Sequence, residues 1–193
     1  MPESKQLINE LFKLVQTISG DAEFVRHLDE ISAQIIEAYK TGHKTIFCGN
    51  GGSSAEAQHL AAELSGKFNL DRKPIAAEAC HVNSAFVTAV SNDYDFTKVY
   101  ARYIEGFGQT GDVLIGLSTS GTSPNILEAF KMARKMGIIT VAFTGSTGGK
   151  LAALADHILQ VPSTVVPRIQ EIHLMAGHII CEKVEKELFA HDA

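Results

Sequence analysis

The sequence of 193 residues has no tryptophan and only three cysteines. Cys48, Cys80 and Cys181 are odd in number, lie far apart and lack the spacing of metal ligands. Such cysteines are typical of reduced thiols in a cytoplasm, whereas a disulfide framework needs paired and clustered positions. We therefore expect a cytoplasmic protein that does not depend on disulfides.

Long apolar runs and an excess of basic charge are missing as well. No run approaches the ~20 residues of a membrane span, and Lys5, Glu10 and Lys13 interrupt the apolar residues that a secretory signal would need. The 17 Lys and Arg are outnumbered by 22 Asp and Glu, which gives a formal net charge of −5. Nonspecific binding of nucleic acid requires a basic surface. We therefore expect neither nucleic acid nor a membrane as a partner.

Two stretches of the chain share one plan, in which an apolar run leads into a loop of small residues and then a helical pattern. The first loop, residues 49–54, reads Gly-Asn-Gly-Gly-Ser-Ser, and the second, residues 118–123, reads Ser-Thr-Ser-Gly-Thr-Ser. Each loop opens onto a helix amino terminus, where unpaired N–H groups and the helix dipole favour an anion. The pair predicts a phosphorylated, hydroxyl-rich ligand, although ordinary βα turns favour the same residue types.

Two nucleotide-binding motifs are approached but not met. In the first loop, Ser54 stands where a dinucleotide fingerprint needs its third glycine. Residues 145–150 resemble a P-loop, but the spacing is short and Leu151 replaces the hydroxyl residue that binds Mg²⁺. ATP and NAD are therefore disfavoured as ligands, and residues 145–150 are interpreted as a third βα turn.

Hydrophobic periodicity predicts an α/β fold. Residues 3–41 have helical spacing that is interrupted before Asp21, so we expect two helices, with Asp21 as the N-cap of the second and Gly42 at its end. Apolar runs without alternation are typical of strands covered on both faces. Five such runs lie at residues 44–48, 74–79, 113–118, 138–143 and 157–161.

Helical segments separate most of these runs, which predicts a parallel sheet with helices on both sides. No linker divides the chain, so residues 1–193 are expected to form one domain. Its parts are N-terminal helices at 3–41, an α/β core at 42–166 and a C-terminal amphipathic helix at 167–189. The N-terminal pair of helices indicates either contact with another subunit of a homo-oligomer or simple coverage of one sheet face.

Polar residues on two of the predicted helices form candidate sites. His59 and Glu63 lie four residues apart, so they share one helix face and could share a metal ion or a substrate. Gln170 and His178 lie eight residues apart on the last helix, a rise of about 12 Å. They could meet at one small centre only by leaning toward each other, so spacing alone favours the polar edge of an amphipathic helix.

The motifs form one ordered set that covers nearly the whole chain. They are Cys48-Gly49-Asn50-Gly51-Gly52-Ser53, His59-x-x-x-Glu63-Leu64-Ser65-Gly66, Ser91-Asn92-Asp93, Gly116-Leu117-Ser118-Thr119-Ser120-Gly121 and Arg168-Ile169-Gln170-Glu171-Ile172-His173. With this set the sequence resembles the sedoheptulose 7-phosphate isomerases, or phosphoheptose isomerases, of the sugar-isomerase (SIS) domain proteins.

The resemblance implies a flavodoxin-like, five-stranded parallel sheet between helices, in a single SIS domain that assembles into a homotetramer with active sites between subunits. It implies isomerisation of D-sedoheptulose 7-phosphate to D-glycero-D-manno-heptose 7-phosphate, the first step toward the heptose of bacterial surface polysaccharides such as lipopolysaccharide. The alternatives are an isomerase of another sugar phosphate and a non-catalytic SIS-domain regulator that binds the replication initiator protein. Such regulators look degraded at the carboxylate that Glu63 supplies here.

The resemblance also assigns site residues. The phosphate would be bound by Ser118, Thr119, Ser120 and Ser123, and the sugar by Asn50, Gly51, Gly52, Ser53, Glu63, Asn92, Asp93 and Gln170. One zinc ion per subunit would be bound by His59, Glu63, Gln170 and His178. Two positions depart from the pattern: Pro167 stands where some relatives carry Asp, and Lys67 replaces an Arg, which removes a bidentate fork.

Isomerisation moves a carbonyl group between C2 and C1 through an enediol, which needs a base at carbon and an acid at oxygen. The resemblance gives these roles to Glu63 and His178. Zinc would either polarise the substrate carbonyl or serve the structure, since a carboxylate bound tightly to zinc is a poorer base. The sequence leaves both roles of the metal open.

Overall fold

The computed structural model describes residues 3–189, in which a parallel sheet is enclosed by helices on both faces. The helices and strands are α1 (Glu3–Ser19), α2 (Ala22–Lys40), β1 (Thr45–Gly49), α3 (Gly52–Ser65), β2 (Ala77–Ala79), α4 (Ser84–Asp93), α5 (Val99–Phe107), β3 (Val113–Ser118), α6 (Pro124–Lys135), β4 (Ile139–Thr144), β5 (His157–Gln160) and α7 (Val166–Phe189). Short 3₁₀ turns at Phe96–Lys98 and Leu151–Ala153 precede α5 and β5. None of the helices in residues 3–189 is long and apolar enough to cross a membrane.

The five strands are all parallel and lie in the order β2-β1-β3-β4-β5. This confirms the expected flavodoxin-like sheet. In such an order the chain adds strands to one side of β1 and then to the other, so a crevice opens between the carboxyl ends of β1 and β3. The two small-residue loops follow these two strands and therefore meet at the crevice.

The edge strand β2 is shorter than the pattern predicted. It begins at Ala77 rather than at residue 74. Pro74 has no N–H group to donate to a neighbouring strand, and the N–H of Ile75 donates instead to the carbonyl of Leu64 at the end of α3. The other four strands begin and end within one residue of their predicted bounds.

Two apolar layers cover the sheet. On one face α2, α3 and α7 pack over β1, β3 and β4, and on the other α5 and α6 pack around Phe130. Asp21 caps α2 as predicted, accepting N–H bonds from Glu23 and Phe24 at 2.9 and 3.2 Å. Helix α2 thus covers the sheet, whereas α1 buries only Ile18 among its residues.

Helices α3 and α7 lie side by side and run in the same direction. Gln170 contacts Ser53 near the start of α3, and Gly177 lies against Leu60 one level further along. A side-chain carbon at Gly177 would lie 2.5 Å from the Leu60 methyl carbons, so only glycine permits this approach. This alignment brings polar residues of the two helices together at two levels, Gln170 with Ser53 and His178 with His59.

Candidate active site

The loop after β1 is joined to the first turn of α6 by a reciprocal pair of amide hydrogen bonds. Asn50 Nδ2 donates to Asn125 Oδ1 at 2.9 Å, and Asn125 Nδ2 donates to Asn50 Oδ1 at 2.8 Å. The hydroxyl of Tyr100 donates to the Gly49 carbonyl and lies 3.2 Å from Asn50 Oδ1. The side chain predicted to hold sugar therefore also fixes the width of the crevice. Sequence reasoning missed Asn125 and Tyr100, because neither lies in a loop motif.

Hydroxyl groups of the second loop form two hydrogen-bonded pairs, and their predicted binding of phosphate stays a prediction. Ser118 Oγ and Ser123 Oγ are 3.0 Å apart, and Ser120 Oγ accepts hydrogen bonds from the N–H and hydroxyl of Thr122 at 3.3 and 3.0 Å. Gly121 has φ 64°, and a side-chain carbon there would lie 2.0 Å from the carbonyl oxygen of Gly148. Only glycine fits at this turn.

Residues 145–150 support the second loop from behind. Gly145 N–H donates to the Thr119 carbonyl at 3.0 Å, and Leu151 N–H donates to the Gly121 carbonyl at 3.0 Å. The turn leads into the 3₁₀ segment Leu151–Ala153 rather than an α-helix. It therefore lacks the helix amino terminus that an anion site of this kind needs.

The helices that face the crevice begin without side-chain caps. Helix α3 starts after Gly51 and α6 starts after Ser123, and neither of these N-cap residues accepts a side-chain hydrogen bond from its helix. Within α6, Asn125 Oδ1 accepts from the N–H of Ile126 at 3.0 Å. Helices α2 and α4, by contrast, are capped by Asp21 and Asn83. The positive ends of α3 and α6 thus lack an N-cap side chain where the two loops meet, which favours an anion.

The residues His59, Glu63 and His178 come together although α3 and α7 are far apart in the chain. Nε2 of His59 lies 2.8 Å from Nε2 of His178 and 3.3 Å from Oε1 of Glu63. One ligand atom from each residue lies within 4.8 Å of the others. The predicted pairing of His59 with Glu63 on one helix face is therefore confirmed, and His178 joins it.

This group fits a divalent metal ion. Ligand atoms around one tetrahedral zinc lie about 3.3 Å apart, given Zn–N and Zn–O lengths of about 2.0–2.1 Å. The separations of 2.8 and 3.3 Å need only a small outward shift of one imidazole. Two imidazoles and a carboxylate are ordinary zinc ligands. His59 is exposed, and Glu63 and His178 are half-buried, so a further ligand can approach from the exposed side.

Gln170, which belongs to α7, contacts α3 nearer to its amino terminus than His178 does. Its Nε2 donates to the Ser53 hydroxyl at 3.3 Å and lies against Gly52, where a side-chain carbon would be only 2.5 Å away. Within residues 3–189, no hydrogen bond joins Gln170 to His59 or His178. The structure thus brings Gln170 to the start of α3, beside the loop after β1. The other three predicted metal ligands lie together.

Asn92 and Asp93 lie at the exposed carboxyl end of α4. Asn92 Nδ2 donates to Asp93 Oδ1 at 2.9 Å. No hydrogen bond within the described part of the chain links this pair to the loops after β1 and β3. Their predicted contact with sugar stays a prediction.

Two buried groups border the site. His173, fully buried, has Nε2 3.2 Å from the Thr144 carbonyl, and burial lowers its pKa to about 4, so it anchors α7 to β4 as a neutral ring. Glu56 lies on the α3 stripe that carries Gly52, His59 and Glu63, and neither of its carboxylate oxygens has a hydrogen-bond partner. Burial raises its pKa to about 7, opposed in part by Ser53. Sequence reasoning missed Glu56, although its spacing from His59 places it beside this face.

Comparison with known proteins identifies the family. The family model for the SIS domain matches residues 13–145. The phosphoheptose isomerase of Sulfurimonas denitrificans is 46% identical over 185 residues, which cover 96% of this chain and 95% of that protein. The phosphoheptose isomerase of Clostridium acetobutylicum is 48% identical over 174 residues, covering 90% of this chain and 89% of that protein.

A solved structure extends the likeness to the whole fold. The phosphoheptose isomerase of Neisseria gonorrhoeae superposes with a TM-score of 0.89 at 34% identity, covering 95% of this chain and 97% of the other. These relatives confirm the resemblance drawn from the motifs. The chain belongs to the phosphoheptose isomerase family of SIS-domain proteins, and it is an aldose–ketose isomerase.

Proposed function

We propose that the protein converts D-sedoheptulose 7-phosphate to D-glycero-D-manno-heptose 7-phosphate, the first step toward the heptose of bacterial surface polysaccharides such as lipopolysaccharide. The observation that supports this most is the cluster of Glu63, His59 and His178 along α3 and α7, on the same helix α3 whose start has no N-cap side chain. The starts of α3 and α6 suit a phosphate, and the cluster further along α3 offers a carboxylate and imidazoles for proton transfer.

The phosphate binds at the second loop, where Ser118, Thr119, Ser120 and Ser123 surround the start of α6. Its binding energy, remote from the reacting atoms, holds C1 and C2 of the sugar in place. Residues 50–53, Gln170 and, in the assembled protein, Asn92 and Asp93 contact the sugar hydroxyls. The reciprocal amide bonds of Asn50 support this assignment because they keep the two loops at a fixed separation.

Proton transfer falls to Glu63 and His178. The Glu63 carboxylate removes a proton from C1 while His178 donates one to the C2 oxygen, which gives the enediol. His178 then accepts the proton of the C1 hydroxyl, and Glu63 returns its proton to C2, so the aldose forms with no net gain or loss of protons. The 3.3 Å from His59 Nε2 to Glu63 Oε1 supports a carboxylate held ready in one orientation.

One zinc ion per subunit belongs to this proposal, with His59, Glu63, Gln170 and His178 as ligands. When bound, the ion supplies a positive charge that polarises the sugar carbonyl or favours the enediolate. The three clustered ligand atoms support the site, and Gln170 would have to leave its hydrogen bond to Ser53 to become the fourth ligand.

We also propose a homotetramer with active sites between subunits. Leu7, Ile8 and Phe12 of α1 have 46, 67 and 58% of their surface exposed, which indicates a face that another subunit covers. A shared site would bring partner groups to the exposed ends of the crevice. The free, buried cysteines support a cytoplasmic location, and the division of residues 1–193 as one domain stays a prediction.

A product assay tests the function directly. Purified protein is incubated with sedoheptulose 7-phosphate, and with ketose phosphates of five and six carbons as controls, and the aldose formed is identified by NMR. We expect turnover of the heptulose phosphate above the others. Turnover of a shorter sugar alone would make this an isomerase of another sugar phosphate, and binding without turnover would favour the regulator.

A further inference from the structure

A buried ion pair lies beyond the residues assigned so far. Arg72 Nε donates to Glu185 Oε1 at 2.8 Å, and each side chain has only 2% of its surface exposed. Arg72 belongs to the loop that follows α3, and Glu185 lies two helical turns beyond His178 on α7. The pair thus joins the two helices that carry the proposed acid and base, although neither of its side chains takes part in the proton transfers.

Arg72 gathers the backbone carbonyls at the end of α3. Its Nη2 donates to the carbonyl of Glu63 at 2.9 Å, and its Nη1 donates to those of Leu64 and Gly66 at 3.0 and 3.2 Å. The last turn of α3 has no basic residue of its own. The guanidinium therefore balances the negative end of the helix and fixes the backbone of Glu63.

Glu185 holds the loop that passes beside His178. Its carboxylate accepts N–H bonds from Phe68, Asn69 and Leu70 at 3.1, 2.7 and 3.0 Å. Burial alone would raise the pKa of Glu185, but these amides and Arg72 outweigh it and hold the pKa below its usual range. The ring of Phe68 lies 5.7 Å from the His178 ring, centroid to centroid. By holding this loop, the Glu185 carboxylate fixes the Phe68 ring beside the His178 imidazole.

We propose that Arg72 and Glu185 are positioning residues, which set the separation and orientation of Glu63 and His178 through the Glu63 carbonyl and the Phe68 ring. The inference rests on the proposed function for its kinetic consequence and on the contacts above for its structural one. A displacement of about 1 Å in a reacting group can slow turnover about 100-fold. Loss of the ion pair should lower kcat and leave KM nearly unchanged, because the loop proposed to bind the phosphate lies between β3 and α6 rather than on α3 or α7.

The kinetic test uses Glu185→Gln and Arg72→Lys, each of which keeps the size or the charge of the side chain. Asp112→Asn is the matched control, because Asp112 is also buried and accepts from Lys44 Nζ at 2.6 Å and from Gln109 N–H at 2.8 Å. It lies just before β3, and these hydrogen bonds reach Lys44 and Gln109 rather than α3 or α7. We expect a fall in kcat of at least about 10-fold in the two variants, with KM within about 2-fold. The control should lower Tm to a similar extent and leave kcat within about 2-fold. An equal loss of kcat in the control, or none in the variants, overturns the proposal.

A second readout does not depend on activity. The NMR chemical shifts of the His178 ring protons report the position of the Phe68 ring, and Phe68→Leu, which keeps the N–H bond to Glu185, gives the value without that ring. The shifts in Glu185→Gln and Arg72→Lys should move toward that value, and unchanged shifts in the folded variants refute the positioning role.

The same experiments distinguish a failure of the positioning proposal from a failure of the proposed function. Absence of isomerisation by the unmodified protein would defeat the proposed function while the shifts still decide the positioning role. If Glu185→Gln does not fold, Phe68→Leu decides: we expect its kcat to fall with KM nearly unchanged, and an unchanged kcat overturns the inference.

Discussion

Replacement of Gly52 by alanine should separate activity from stability. Gly52 is the first residue of α3, and an added side-chain carbon would lie 2.5 Å from Gln170 Nε2. Ordinary contact begins at about 3.5 Å, so the amide must retreat by about 1 Å. Because the obstacle is the end of a flexible side chain, folding should cost little, and alanine regains about 0.5–1 kcal/mol of helix propensity. The retreat removes Gln170 from Ser53, and we expect kcat/KM to fall about 10- to 100-fold.

Gly106→Ala is the control for this experiment. Gly106 lies in α5, has no atom within 4 Å of an added side-chain carbon, and has no positive φ. Its substitution should raise stability by the same helix propensity and leave turnover unchanged. Both variants are measured by urea unfolding and by steady-state kinetics. Unchanged kcat/KM in Gly52→Ala, or a loss of stability well beyond the control, would refute the reasoning from Gln170.

Four further outcomes follow from the site. Glu63→Gln should lower turnover by at least about 100-fold with the assembly intact, and near-normal turnover would remove the base assignment. Ser120→Ala and Ser123→Ala should raise KM and weaken inhibition by inorganic phosphate together, whereas a change in only one of these would contradict a shared phosphate site. His59→Ala should lose zinc in metal analysis of protein purified without chelator, and an unchanged zinc content counts against this ligand set. Burial lowers the pKa of His173 in the folded protein to about 4, from an ordinary 6.5. Between pH 4 and pH 6.5 the unfolded chain therefore binds more protons than the folded one. The free energy of unfolding should therefore fall as pH drops from 6.5, by about 3 kcal/mol at pH 4, and His173→Gln should flatten that dependence in urea titrations.

The fold could be predicted where the pattern is local. Strand β3 occurs at its predicted residues because a continuous apolar run is buried on both faces, and α2 begins after Asp21 because that side chain accepts two N–H bonds. The start of β2 was wrong by three residues, since Ile75 is apolar yet donates its N–H to α3. Hydrophobicity indicates burial, but the partner of a backbone N–H depends on the tertiary fold.

The site, like the fold, could be predicted where its contacts are local and not where they depend on the tertiary fold. His59 and Glu63 meet because residues four apart on a helix are neighbours, which any helical sequence reveals. Their contact with His178 depends on how α3 and α7 align, and spacing within one helix carries no information about that alignment. The resemblance to a family supplied His178. It did not supply Tyr100 or Asn125, whose hydrogen bonds fix the first loop from outside the motifs.

The alignment of the two helices would allow the proposed service of Gln170 and His178 to one substrate, although they lie about 12 Å apart along α7. Two glycines permit the approach: Gly177 admits the Leu60 side chain, and Gly52 admits the amide of Gln170. Because the helices run parallel, Gln170 contacts the first turn of α3, beside the loop after β1. His178 contacts α3 further along, at His59. An extended sugar phosphate spans several such levels at once. The eight-residue spacing is therefore suited to a substrate that lies along the helix pair, whereas a shared zinc ion requires Gln170 to leave Ser53.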